Sequence, residues 1–511
     1  MLKSKAFILA IATASLVACK KDLPTHLAYD SYDYSGTDEN GGDWTPILLS
    51  SGEEVSLSPP TSATSATYLA EIEDVKKKQE QMTDKDREQV NYWTNNSVNR
   101  WNEIALELVA KYNLIPGPNE DGTYTLPNPL EPSGPSIFPF SHPPYAVRAL
   151  AYLSVAQFDG LISAWHYKYT YNRLAPYMND AGVASAYPKN NIPSYPSDGA
   201  AVASASRAIL TVMFPLEADY LAEVESEHLR SLILSGSNVQ SDIEAGRVIG
   251  EYVAGIALTR ASTDGMKYAQ TNKAVSDSIK AAAFERFGWQ WENLELPVRP
   301  VGLTPLFGMV RMWNIDNVED VRPTAPPAFD SPEFLADVEI LKNYADNMTD
   351  EYRRIANFWQ DGLGTYTPPG HWNTIAKELI VKNKMNPLRT ARVYAYLNMA
   401  MMDAGISCWD AKYYYHYPRP IQLIEGFETI AGTPNFPSYT SGHSVFSAAG
   451  AEVLAYIFPS EATTLRGWAE EAAISRVYGG IHWTFDATIG TEQGRKVAGY
   501  TLDIAAVDGS E

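Results

Sequence analysis

Residues 409–420 read Trp-Asp-Ala-Lys-Tyr-Tyr-Tyr-His-Tyr-Pro-Arg-Pro, and 244 positions earlier residues 165–176 read Trp-His-Tyr-Lys-Tyr-Thr-Tyr-Asn-Arg-Leu-Ala-Pro. The register holds in both directions. Upstream it pairs Arg148 with Arg392, Tyr152 with Tyr396 and Asp159 with Asp403; downstream it pairs Pro193 with Pro437, Ser194 with Ser438, Ser197 with Ser441, Asp242 with Asp486 and Gly250 with Gly494. A gapless register over about a hundred residues marks a duplicated structural unit. Trp101-Asn102 and Trp372-Asn373 extend it at a different offset, with the Pro-rich insertion 115–144 absorbing the difference. Apolar segments of helical periodicity, broken by Pro/Gly loops and free of strand-like alternation, predict an all-α fold. The expectation is two tandem homologous helical bundles, 67–260 and 333–511, joined by a Pro-rich connection at 261–332.

The differences between the copies locate the chemistry. Arg419 faces Ala175, His443 faces Gly199, Arg476 faces Leu232 and His482 faces Asn238, while scaffold glycines, prolines and aromatics persist. Only the second copy keeps the charged and titratable set, so 67–260 reads as a degenerate bundle and 333–511 as the catalytic one.

That set falls in three clusters: Lys412 to Pro420, Phe436 to His443, and Ser475 to Asp486. Lysine supplies a point charge and each arginine a planar fork for two oxyanion oxygens. Ser441 adds a hydroxyl, and Gly442 admits close approach to a backbone N–H. His482 with Asp486 at i+4 places a carboxylate one turn away, where it takes the Nδ1 proton and leaves Nε2 as nucleophile or metal ligand. His443 then stands opposite, as general acid for a leaving alkoxide or as hydrogen-bond partner of an apical oxygen. Lys412, Arg419, Ser441, Gly442 and Arg476 are the phosphate- or vanadate-binding set, and His443, His482 and Asp486 the catalytic set.

Elsewhere the chain narrows the possibilities. Its 511 residues are 45% apolar and 12% aromatic, a composition that folds, and its formal charge of −21 excludes nucleic acid as a partner. An anion site must therefore be a local cationic island. The start, Met1-Leu-Lys-Ser-Lys5, an apolar run from Ala6 to Ala18 and then Cys19, describes a signal peptide too short to span a bilayer. Leu16-Val17-Ala18-Cys19 resembles a bacterial lipobox, which implies lipidation at Cys19, a signal peptide at 1–18 and a flexible tether at 19–66. Membrane attachment is expected through that lipid only, in the bacterial cell envelope facing the periplasm or outer membrane. Cys408 is the remaining cysteine, expected as a buried inert thiol. The tyrosines of 413–417 are expected to pack around the anion loop, His416 at the surface, and Glu470 and Glu471 on a solvated helix face.

Taken together, the three clusters resemble the Lys-x6-Arg-Pro, Ser-Gly-His and Ser-Arg-x5-His-x3-Asp signature of the type 2 phosphatidic acid phosphatase and vanadium haloperoxidase superfamily. The resemblance covers roughly residues 85–505. It implies a chloroperoxidase or acid phosphatase-like fold, oxyanion binding by the five residues named, acid–base action by His443 and a phosphohistidine or vanadium bond at His482. Trp409 and Phe436 match aromatics that line the halide pocket in the chloroperoxidase branch, although Trp165 persists in the degenerate copy and so has a packing role. Tandem bundles and the bacterial haloperoxidase-like stretches Pro323–Pro332 and Met348–Trp359 favour a peroxidase that uses vanadate, hydrogen peroxide and halide. The alternatives are a phosphomonoesterase, with phosphate esters as substrate and phosphate as competing anion, and a phosphate-binding lipoprotein without turnover.

Overall fold

Two long helices organise the chain, and their ends are written in sequence. The first opens on Pro143-Pro144 and the second on Pro387, where a missing N–H costs nothing, and each stops at a left-handed residue, Asn172 (φ 51°) and His416 (φ 51°). Both are buried around almost their whole circumference, as helices at the centre of a bundle must be.

The computed structural model describes residues 31–94, 96–114, 140–295, 299, 301–430 and 432–511. Its helices are α1 (Ala66–Glu80), α2 (Asp84–Trp93), α3 (Ser97–Tyr112), α4 (Pro143–Tyr171), α5 (Pro176–Asn179), α6 (Asp198–Met213), α7 (Ala218–Leu234), α8 (Gln240–Thr263) and α9 (Lys273–Phe287). They continue as α10 (Pro332–Asp346), α11 (Asp350–Phe358), α12 (Thr367–Lys382), α13 (Pro387–Tyr415), α14 (Pro420–Leu423), α15 (Gly442–Ile457), α16 (Ala462–Tyr478) and α17 (Thr484–Ala505). The described residues contain helices, 3₁₀ turns and loops but no strand, and none of the helices is long and apolar enough to cross a membrane. Signal residues 1–18, Cys19 and most of the 115–144 insertion lie outside the described residues.

The repeat is carried by the element bounds themselves. Helices α4 to α7 recur 244 residues on as α13 to α16, with the same first and last positions, and α8 and α17 begin in the same register. Buried ion pairs repeat as well. Arg148 donates to Asp264 at 2.7 Å beside the Tyr152 hydroxyl, and Arg392 donates to Asp508 at 2.6 Å beside the Tyr396 hydroxyl.

The stretch expected to be a tether behaves otherwise from Tyr34 onward, because its backbone is tied to the bundle. Asp159, buried in α4, accepts from the backbone N–H groups of Ile47, Leu48 and Leu49 at 2.8, 2.6 and 3.0 Å. Trp165 Nε1 donates to the Thr37 carbonyl at 3.0 Å, and Tyr195 donates to Ser58 at 2.6 Å. The Pro-rich connection does the same for the second copy. Asp403 accepts from Trp313 and Asn314 at 2.7 and 2.9 Å, Trp409 Nε1 donates to Leu303 at 3.1 Å, and Tyr439 donates to Thr324 at 2.6 Å. These partners lie 266 residues apart, and so do the starts of α1 and α10. Each copy thus begins with a strap near residues 37 and 303, earlier than the boundaries at 67 and 333.

Nor are the bundles separate bodies. Residues 31–511 form one compact unit with a shared core drawn from both halves. Corresponding residues meet each other, Asn102 with Asn373 at 2.9 Å and Ser154 with Asn398 at 2.9 Å.

Asp159→Ala and Asp403→Ala each strand buried amides and are expected to cost about 2–4 kcal/mol in urea unfolding. The Asn variants, which keep one acceptor oxygen, should lose about half as much. Losses below ~0.5 kcal/mol would mean that the straps are held by something else.

Candidate active site

The three clusters converge where α13, α15, α16 and α17 meet. Lys412 ends α13, Arg419 precedes α14, Ser441 caps α15, and Arg476 and His482 flank the turn between α16 and α17. Ser441 Oγ accepts from the Ser444 N–H at 3.4 Å, which leaves its own proton to donate outward. A Cβ built on Gly442 would meet Phe446 and Trp409 at 3.9 Å, ordinary van der Waals contact, so no backbone atom crowds this buried glycine.

His482 and Asp486 are set as expected. His482 Nδ1 lies 2.8 Å from Asp486 Oδ2, and that oxygen also accepts from Ser438 Oγ at 2.5 Å and the Trp483 N–H at 3.3 Å. An acceptor that close assigns the proton to Nδ1, so Nε2 presents a lone pair, 3.4 Å from Arg419 Nη1. Burial, reinforced by the Arg419 and Lys412 charges, holds the His482 imidazole well below its ordinary pKa. Asp486 moves the other way, raised by burial against the Ser438 hydrogen bond.

His443 is held by a loop that the first copy lacks. Thirteen positions separate Trp359 from Trp372, but eight separate Trp93 from Trp101, so five residues are inserted after Trp359. The carbonyls of Gln360 and Trp359 hydrogen-bond the His443 ring, and its buried Nε2 has no partner. Burial and the Arg476 charge keep this histidine neutral, well below its usual range. The same loop carries Asp361, 3.1 Å from His371 Nδ1, and the His371 ring stacks on Trp359 at 4.5 Å. His371 therefore belongs to the site's wall, a role its sequence position beside two prolines left open.

The cations deserve a count by partner. Arg419, with no exposure, donates to the carbonyls of Phe436 (3.2 and 3.1 Å) and Ile481 (2.5 Å). Arg476 donates to Ser475 Oγ at 3.0 Å and the Ala356 carbonyl at 2.5 Å, with Asp361 in Coulombic range. Lys412 donates to the carbonyls of Pro437, Ser438 and Thr440 at 3.0, 2.8 and 2.5 Å, so it shapes the anion loop as well as charging it. None of the three ion-pairs with a carboxylate among the described residues. In the first copy the counterparts are paired, Lys168 with Asp198 at 2.9 Å and nearby Arg173 with Asp242 at 2.9 Å. Buried charge is costly unless compensated, and in the second copy that compensation comes from backbone carbonyls and, at longer range, from Asp486 and Asp361.

Around this centre several expectations change. Trp409 spends its N–H on the strap while its ring contacts Phe436 at 5.0 Å; the Phe436 carbonyl orients Arg419. Tyr413, Tyr415 and Tyr417 pin the strap at Leu303, Pro323 and Pro327, and they also meet the anion loop: Tyr415 packs edge-on against Tyr439 at 5.4 Å and the Tyr417 carbonyl accepts from the Ser438 N–H at 3.0 Å. His416 is buried, not at the surface, and accepts from the Trp291 N–H at 3.1 Å. Glu471 accepts from Trp359 Nε1 at 2.9 Å, so only Glu470 is a solvated helix-face carboxylate. Cys408 is buried and free.

Residues 393–506 match the PAP2 superfamily. The vanadium chloroperoxidase of Curvularia inaequalis is 26% identical over 177 residues, covering 24% of this chain and 29% of its own. A non-specific acid phosphatase of Salmonella typhi is 30% identical over 176 residues, covering 32% of this chain and 66% of its own. The matches thus span less than two thirds of either relative. Among solved structures, a bacterial vanadium-dependent iodoperoxidase aligns with TM-score 0.58 at 22% identity, over 79% of this chain and 96% of its own. A holo-type bacterial vanadium-dependent chloroperoxidase aligns with TM-score 0.51 at 14% identity, over 77% of this chain and 99% of its own. These likenesses establish a shared all-helical fold.

Because its pKa is depressed, the His482 imidazole should stay neutral from pH 8 down to 5.5, and ¹⁵N-histidine spectra should report an Nδ1–H tautomer throughout. Asp486→Ala should erase that preference. A protonation midpoint near the ordinary histidine value of about 6.5 would contradict the geometry.

Proposed function

We propose, from the match of residues 393–506 to the PAP2 superfamily, that the chain is a vanadium-dependent haloperoxidase-type enzyme, oxidising halide with hydrogen peroxide. One observation carries the reading: three buried cations without carboxylate partners surround a histidine Nε2 lone pair and a second, unpartnered histidine Nε2. With Asp486 as the central carboxylate, Lys412, Arg419 and Arg476 leave net positive charge that a tetrahedral oxyanion neutralises.

The residues fit vanadate. Arg419, Arg476, Lys412, the Ser441 hydroxyl and the Gly442 N–H would hold its oxygens, and His482 Nε2 would bind vanadium. Bound there, vanadate supplies a Lewis-acidic centre that activates peroxide. The protein's own part is to keep the Nδ1 proton on His482 through Asp486, to hold or move a proton at His443 Nε2, and to wall off water with Trp409 and Phe436.

The match to the acid phosphatase supports a second reading, phosphomonoester hydrolysis. There His482 Nε2 attacks phosphorus and the P–O bond to the alcohol breaks; His443, which takes up a proton at Nε2 when the bound phosphate dianion offsets the Arg476 charge, gives that proton to the departing oxygen, and water then cleaves the phosphohistidine. Phosphate capture without turnover needs only the cations and leaves the oriented His482 and the open His443 Nε2 without a purpose.

Peroxide-dependent oxidation of iodide and bromide, measured beside p-nitrophenyl phosphate hydrolysis with and without orthovanadate, separates the readings. Halide oxidation that requires orthovanadate is expected; hydrolysis inhibited by orthovanadate, without halide oxidation, would select the phosphatase. His482→Ala should abolish either activity. His443→Ala should spare the good nitrophenolate leaving group more than an alkyl phosphate in a phosphatase, and remove peroxide activity in a haloperoxidase. Arg419→Ala and Arg476→Ala should each weaken vanadate binding by about 1.5–3 kcal/mol in calorimetry; unchanged affinity would remove the site assignment.

We further propose that Cys19 is lipidated and holds the enzyme outside the cytoplasm at the cell envelope. Labelled fatty acid should be incorporated in a Gram-negative host and lost with Cys19→Ser; continued labelling of that variant would refute the anchor.

A further inference from the structure

The first copy's counterpart of the active site is not filled by packing. A cavity of about 80 Å³ remains there, lined by Trp93, Asn96, Lys168, Ile192, Asp198 and His228 among others. That is room for several water-sized groups, since one water needs roughly 10–15 Å³ by the same measure.

Its electrostatics are the opposite of the active site's. Asp198 stands where the second copy has Gly442, and its carboxylate lies 2.9 Å from the Lys168 ammonium. The copy therefore carries its own anion at the oxyanion position. Asn238, the counterpart of His482, is closed off by bonds to Ser194 O (2.9 Å) and Ser197 Oγ (3.1 Å). A Cβ on Gly199, the counterpart of His443, would come within 2.7 Å of Leu232, so no histidine fits there. Oxyanion chemistry is excluded by charge and by shape.

Two buried polar atoms in the wall are nevertheless unsatisfied. His228, with no exposure, stacks on Trp93 at 4.0 Å, and its Nδ1 accepts from Trp101 Nε1 at 3.2 Å. The proton is therefore on Nε2, which has no partner. Burial lowers this imidazole to about 3, so it is a neutral donor. Asn96, 2% exposed, spends its amide N–H groups on Met385 O and Thr390 Oγ1, and its Oδ1 has no partner. Orphaned buried groups are rare in native proteins and mark places built for a partner. Here they are one donor and one acceptor, beside a neutralised ion pair and the aromatic face of Trp93.

We propose that this cavity is a second ligand site, specific for a small uncharged polyol whose hydroxyls accept from His228 Nε2 and donate to Asn96 Oδ1 and Asp198, and closed to phosphate and vanadate. Hydroxyl groups match because each both donates and accepts. The inference rests on the first copy alone and stands whichever reaction the second copy performs.

The test uses the full chain and glycerol as probe, followed by saturation-transfer NMR and by melting temperature. Saturable glycerol binding is expected, weakened at least ~10-fold in His228→Phe and in Asp198→Asn, and unaffected by orthophosphate. Far-ultraviolet circular dichroism and cooperative thermal unfolding of the same variants without glycerol serve as the check on folding. Glycerol signals that do not saturate, or that survive in both variants, would mean an adventitious additive only and overturn the proposal. Displacement by orthophosphate would overturn it too, since it would place glycerol in the second copy's site. Should His228→Phe fail the folding check, Asp198→Asn alone decides the matter.

Discussion

Three cations buried beside one central carboxylate form the constraint around which the second copy is arranged. Removing a charge from water costs several kcal/mol even after relaxation, and Lys412, Arg419 and Arg476 recover part of that through backbone carbonyls. Those carbonyls belong to the loop 436–440, the turn at Ile481 and helix α11. The strap holds the first of these, the loop 436–440, and the helix α13 that carries Lys412. Tyr439 is tied to Thr324, Trp409 to Leu303, and Asp403 gathers the amides of Trp313 and Asn314. The strap therefore supports the site without touching the anion position.

Much of this was legible in sequence because side chains carried it. The gapless offset of 244 anticipated the register of α4 to α7 against α13 to α16, and the Lys412, Arg419, Ser441, Arg476, His482 and Asp486 set converges as its spacing implied. The Asp486 hydrogen bond to His482 Nδ1 follows from a separation of one helical turn.

What sequence concealed was backbone work. Asp159 and Asp403 were visible as a matched pair, but their partners are amides, which leave no residue signature, so strap residues differ freely between copies. A Ser/Thr/Asp/Gly/Pro composition then reads as a tether even though Trp44 is buried and Asp159 binds three consecutive residues nearby. Asp361 escaped for a related reason: it sits on an insertion without a counterpart in the first copy, where a comparison of copies has nothing to compare, and it is the acid that meets His371 of α12. Unequal spacing, thirteen positions from Trp359 to Trp372 against eight from Trp93 to Trp101, was the available signal.

The two copies solve one electrostatic problem in two ways. A lysine at the end of the long helix is common to both, and a buried lysine requires a negative partner or a ring of dipoles. The first copy supplies a carboxylate from its own chain, Asp198, and with that pair closed it could replace both arginine-fork positions by Ala175 and Leu232 without leaving unbalanced charge. The second copy supplies carbonyls to its lysine and has Gly442 in place of an acid, so Lys412, Arg419 and Arg476 stand near Asp486 and Asp361 without a direct ion pair. Gly442 against Asp198 is thus the substitution on which the other differences depend: an acid at 442 would neutralise Lys412 and occupy the space beside the anion loop. The two copies thus differ in what faces the shared lysine, a carboxylate of α6 in the first and the carbonyls of the loop 436–440 in the second.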